Sequence, residues 1–139
     1  MKSYYLYVDS SPNKEYKNNN FFDFTVILPQ NIDISEGEWE IGLCEVHFFK
    51  KNERCPDMYI CSDIITASFI NNITIPVLRF IPEIRGKYYK IYDNIYYHDI
   101  VERYLDKIRL YITPIEETNV SFADETLHCT LHLRQKLQS

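Results

Sequence analysis

GEWEIGLCEVHF, residues 37–48, decides how this chain folds. Successive side chains of an extended strand point to opposite faces. Trp39, Ile41 and Leu43 therefore share one face, and Glu38 and Glu40 share the other. Beyond Leu43 the alternation breaks: the apolar positions become Cys44, Val46 and Phe48, separated by Glu45 and His47. A slip of one residue moves every side chain to the opposite face. A β-bulge near residues 42–44, or a strand buried on both faces, accounts for the break. The stretch holds the only tryptophan and no phosphate loop, so it reads as a construction element.

The flanking sequence reads the same way. Residues 4–8 are a short aromatic strand. Phe22, Phe24, Val26 and Leu28 alternate with Asp23, Thr25 and Ile27, and Pro29, which has no N–H, is expected to close that ladder. Residues 30–36 read as a connection and 50–56 as a charged loop. Residues 57–65, 73–81 (interrupted by Pro76), 88–92, 95–100 and 105–113 are further strands, with a short edge piece at 120–122. In the last strand, Leu127, Cys129, Leu131 and Leu133 oppose His128, Thr130, His132 and Arg134. Only residues 99–110 also fit helical spacing, through Ile100, Val101, Tyr104, Leu105 and Ile108.

These signals predict an all-β fold: an eight-stranded jelly-roll (Greek-key) β-sandwich of two four-stranded sheets, a single domain over residues 1–139. Residues 1–20 are expected to supply an N-terminal strand and a mobile polar loop, and 135–139 a frayed tail. The expected core is Phe24, Val26, Trp39, Ile41, Leu43, Ile108, Leu110, Leu131 and Leu133.

Composition narrows the function. A chain of 139 residues is one domain with room for a sizeable core. Its 12 tyrosines and 8 phenylalanines suit pleated surfaces. A formal net charge of −5 argues against a general nucleic-acid binder. The basic clusters Lys50-Lys51 with Arg54, and Arg85-Gly86-Lys87, are small and read as solvated loops. No apolar run approaches the roughly 20 residues that span a bilayer, so no membrane insertion is expected. The first residues read as a strand, not a signal peptide, and the cysteines are expected to be reduced.

Catalytic and metal signatures are weak. His128 and His132 share a strand face but stand about 13 Å apart, too far for one metal ion. Cys44, Cys55, Cys61 and Cys129 form no C-x-x-C pair; Cys129 reads as a core residue, and Cys55 and Cys61 flank a loop across which they pair only under oxidising conditions. Glu38, Glu40 and Glu45 resemble paired glycosidase carboxylates in composition, but the first two fit the solvent face of a half-buried strand. Tyr88-Tyr89 and Tyr96-Tyr97 are candidates for stacking on sugars, and equally for packing a sheet or an interface. No cofactor is implied.

Three segments, FDFTVILPQNIDISEGEWEIGLCEVHF, MYICSDIITASFINNITIPVLRFIPE and HCTLHLRQ, together resemble the small single jelly-roll capsid proteins of Polinton/Maverick elements and adintovirus-like viruses. The matching positions include Phe24, Val26, Leu28 and Pro29; Gly37, Trp39, Gly42 and Leu43; Leu78 and Arg79; and Leu131, His132 and Arg134. The resemblance spans about residues 20–135. It implies a non-enzymatic virion protein, the vertex penton or another minor capsid subunit. Such a subunit would form a homo-oligomer, a pentamer for the penton, and pack against the major capsid protein after assembly inside the host cell. Residues 10–20, 50–57 and 114–124 are the expected contact regions. The alternative is a trimeric ligand-, receptor- or carbohydrate-binding jelly-roll module.

Overall fold

The computed structural model describes residues 2–55, 57–82, 84–113 and 125–136, without the side chains of 49–55 and 84–86. The strands are β1 (Ser3–Asp9), β2 (Asp23–Asp33), β3 (Trp39–Cys55), β4 (Met58–Ser62), β5 (Ser68–Ile70), β6 (Ile73–Ile75), β7 (Val77–Ile81), β8 (Ile84–Ile91), β9 (Tyr97–Asp99), β10 (Tyr104–Thr113) and β11 (His128–Gln135). There is no helix among the described residues. The first sheet runs β1-β11-β3-β8, with β9 beside β8 along the same edge of β3; the second runs β2-β10-β4-β7; β5 and β6 form a separate hairpin. Every pairing is antiparallel.

Buried side chains from both main sheets form one cluster. The expected core residues Phe24, Trp39, Ile41, Leu43, Ile108, Leu110, Leu131 and Leu133 are all buried in it, and Val26 and Leu28 pack against it partly exposed. Phe21, Val46, Phe48, Ile60, Leu105 and Ile81 add to this interior.

Two bulges explain where alternation fails. Along β11, Thr130 pairs with Glu45 and Leu131 with Leu43, so Cys44 is the extra residue of β3. It lets Leu43 and Val46, three apart, face the same core. The bulge also marks a change of partner on the other edge, from β9 at residues 40–42 to β8 from Glu45 onward. At that junction the Cys44 carbonyl accepts the Tyr92 N–H at 3.0 Å, and its thiol donates to the Thr130 carbonyl at 3.2 Å. The second bulge lies between Leu105 and Lys107 of β10. Leu105 and Ile108 are again buried three residues apart, which mimics helical spacing; the segment is strand β10, not helix.

Several expectations change. Among the described residues there are eleven strands, not eight, and the first sheet has five. Pro29 does not end its strand: β2 continues to Asp33. Residues 28–31 of β2 stand against Asp106 alone of β10, so Pro29 lies in the bulged, unpaired segment of an edge strand, where a missing N–H breaks no ladder bond. Residues 50–55 are the end of β3, paired to β8, rather than a charged loop. Gln135 belongs to β11, and the Lys136 N–H donates to the Glu38 carbonyl at 2.7 Å, so the tail is held up to that point. The polar segment 10–20 is tied to β2: Asn13 and Asn19 both donate through Nδ2 to the Thr25 carbonyl, at 3.0 and 2.9 Å. The expected contact region 114–124 and its edge piece at 120–122 lie outside the described residues.

Candidate functional site: the outer face of the first sheet

The registers of β1, β11, β3, β8 and β9 place outward-facing residues in rows across the first sheet. One row is Ser3, Arg134, Glu40 and Asp99; the next is Tyr5, His132, Gly42 and Tyr97. Past the Cys44 bulge come Tyr7, Thr130, Glu45 and Ile91, then Asp9, His128, His47 and Tyr89.

These rows interlock. Arg134 donates from Nε to Glu40 at 2.8 Å, and its guanidinium lies over the Tyr97 ring at 3.6 Å. The Tyr97 hydroxyl and His132 Nδ1 are 2.8 Å apart, and Tyr5 stacks on the His132 ring with centroids at 4.5 Å. Glu45 accepts from the Thr130 hydroxyl at 3.1 Å and the Tyr89 hydroxyl at 2.9 Å. That carboxylate raises the Tyr89 phenol above its ordinary range, because a charged acceptor holds the proton in place. His47 stacks on His128 at 5.7 Å and meets Tyr89 edge-on at 5.6 Å.

His128 and His132, expected to stand too far apart to share a metal ion, each meet a neighbour on another strand, His47 and Tyr5. His47 was missed, because cross-strand register is not written in the local pattern. Register also aligns the two basic clusters, since Lys50 pairs with Gly86 and Arg54 with Arg85.

Burial lowers the His132 pKa, with the nearby Arg134 charge acting in the same direction. A depressed histidine pKa means the unfolded chain takes up the proton first. The stability this group contributes is present above about pH 6.5 and is lost as pH falls through its folded value. The melting temperature is expected to decline between pH 7 and 5, and His132→Gln is expected to flatten that decline. Equal slopes in both proteins would remove His132 as the cause. Asp33, whose carboxylate is held below its usual range by the Ser35 hydroxyl, acts only at more acidic pH.

The remaining motif residues hold the frame. Leu78 is buried on β7. The Arg79 guanidinium lies between the rings of Tyr92 and Tyr96, at 3.8 and 3.9 Å, and donates to the Asn94 carbonyl at 2.8 Å. It thus ties β7 of the second sheet to the connection between β8 and β9. Trp39 donates from Nε1 to the Glu36 carbonyl at 2.8 Å, closing the turn at Gly37. Tyr88 packs on Phe48 and meets the Tyr92 hydroxyl. Burial pushes the thiols of Cys61 and Cys129 up to about 12, and raises Cys44. No group of three metal-ligating side chains occurs among the described residues.

No family model, curated protein or solved structure matches the chain.

Proposed function

We propose that the chain is a non-enzymatic capsid subunit built as a single jelly roll, acting at the particle vertex as a homopentamer packed against the major capsid protein. The observation that carries this reading is the pairing of strands from the outside of the chain inward: β1 with β11, β2 with β10, β3 with β8, β4 with β7. A long antiparallel ribbon rolled on itself produces that nesting. The further pairs β3–β11 and β4–β10 then close two facing sheets. Double-sheet jelly rolls of this kind recur in viral capsid and lectin domains. The motif residues of the resemblance support the same reading, because Trp39, Leu43, Leu78 and Leu131 fill the interior and Arg79 and Arg134 clamp its margins.

The chemistry on the surface favours fitting over reacting. Thiols with raised pKa are poor nucleophiles at neutral pH. Tyr5, Tyr89, Tyr97 and Arg134 on the outer face of the first sheet are of the residue types that protein interfaces favour. The sugar-binding alternative has less support, because Arg79 covers one face of Tyr96 and Tyr88 is packed against Phe48.

Native mass measurement of the purified chain tests the reading. A stable pentamer is the expected result. A trimer would favour the receptor- or ligand-binding class, and a strict monomer at high concentration would count against both.

A further inference from the structure

An open sheet edge presents unpaired N–H and C=O groups that invite another strand, and proteins normally block it. Among the described residues the main sheets end in β2, β7, β8 (with β9 beside it) and β1. The first three carry blocks. β2 contains Pro29 and is bulged at residues 28–31. β7 is 5 residues long, between Pro76 and Pro82. β8 exposes Lys87 and Lys90. The fourth, β1, is a 7-residue strand, SYYLYVD, with no proline, glycine, lysine or bulge inside it.

Its backbone is aimed outward at alternate residues. Gln135 N–H donates to the Lys2 carbonyl and Ser10 N–H to the Leu127 carbonyl, both at 3.0 Å. In an antiparallel ladder of this register, even-numbered residues of β1 bond to β11, and the N–H and C=O groups of Ser3, Tyr5, Tyr7 and Asp9 face away from the sheet. Tyr5 and Tyr7 are 58% and 77% exposed, Tyr7 more than any other tyrosine among the described residues.

We propose that β1 pairs antiparallel with β1 of a second copy across a two-fold axis, joining the first sheets of two molecules. Self-complementarity identifies the occupant. Tyr5-Leu6-Tyr7 reads the same in both directions, so pairing centred on Leu6 sets Tyr5 of each copy opposite Tyr7 of the other. The outward backbone groups of those residues then bond reciprocally. In that register Ser3 faces Asp9, Tyr4 faces Val8 and Lys2 faces Ser10, so no like charges meet. Tyr7 of the second copy extends the stack that Tyr5 already makes on His132. The contact is isologous and closes after two copies, which distinguishes it from the ring interface of the proposed function. It links two assemblies edge to edge and does not depend on ring order.

Sedimentation velocity over a wide concentration range tests it, using the full chain, Tyr7→Pro and the double variant Tyr5→Lys/Tyr7→Lys. Proline at position 7 removes only an outward N–H, and the lysines leave the backbone intact. Circular dichroism and a melt verify that at least one variant is folded. The wild type is expected to double its basic unit with rising concentration, and each folded variant to weaken that step by about 100-fold, the proline through lost edge hydrogen bonds and the lysines through like charges set opposite each other. Doubling that persists in a folded variant overturns the proposal. So does a wild type that never doubles, including the case in which β1 serves a strand of a different protein. A pentamer that never doubles sinks this inference and leaves the capsid reading standing; a monomer that doubles does the reverse.

Discussion

Phe48→Ala is expected to destabilise the chain by about 3–5 kcal/mol, the range for truncating a large aromatic in a closed interior. Phe48 is fully buried on β3. Its ring meets Phe21 edge-on at 5.3 Å, from the segment leading into the second sheet, and lies tilted on Tyr88 of β8 at 5.5 Å. One side chain thus ties the first sheet and its edge to the segment that enters the second. Truncation removes the ring's burial and leaves a void between layers that neither sheet can close without breaking its ladder. Domains of this size are stable by about 5–15 kcal/mol in total, so the loss is a large share of that margin. It corresponds to a fall in melting temperature on the order of 10–20 °C. Urea unfolding is the direct measurement. Phe48→Leu keeps most of the volume and should cost less than half as much. A loss below about 1 kcal/mol for the alanine variant would mean that this ring is not packed between Phe21 and Tyr88.

Phe48 also illustrates what can be read from the residues. The break in alternation after Leu43 signals an extra residue, and the structure puts it at Cys44. The core of β11 and most of β3 follow from period-two spacing alone, because one face of each strand is buried and the pattern has no freedom to drift. Where a bulge gives an i, i+3 spacing without other signals, as at Leu105 and Ile108, strand and helix look alike. Pro29 and the charged run 50–55 misled for a related reason. Both are locally poor strand formers, yet they lie where position in the sheet relieves the conflict: Pro29 in a bulged segment of an edge strand, and the charges at the far end of a strand paired through its backbone to β8.

The outer face of the first sheet was the least legible part. Its rows join residues as far apart as Tyr5 and His132, or His47 and His128. Only the ladder register fixes such pairs, and that register follows from the whole topology. The individual strands announce which residues point outward; they do not announce which outward residues meet. The same limit hid the edge position of β1 among the described strands, since an edge is defined by the strand that is missing beside it.

Gly42→Val is expected to cost about 3 kcal/mol or more, and Gly42→Ala about 1–3 kcal/mol, through forced displacement of packed backbone. Gly42 is buried, and a Cβ there would lie 2.5 Å from the Ile95 side chain and 2.7 Å from the Tyr96 carbonyl oxygen. Ile95 could rotate, but Tyr96 cannot retreat freely. The next residue, Tyr97, pairs directly with Gly42, and the Tyr96 ring is held against Arg79. Relief of the clash therefore requires loss of β9 pairing or of the Arg79 clamp. Gly37 makes the useful contrast. It adopts φ of 77°, which disfavours a side chain, but its close neighbour is the end of the flexible Gln135 side chain. Gly37→Ala should therefore cost only about 1–2 kcal/mol, the penalty of left-handed backbone. The expected order in urea unfolding is Gly42→Val, then Gly42→Ala, with Gly37→Ala no worse than the latter. If Gly42→Val unfolded within about 0.5 kcal/mol of the wild type, the close approach of the β8–β9 connection to β3 would be wrong. The glycines at either end of G-E-W-E-I-G thus have separate steric causes, a turn that needs positive φ and a crossing that has no room for a methyl group.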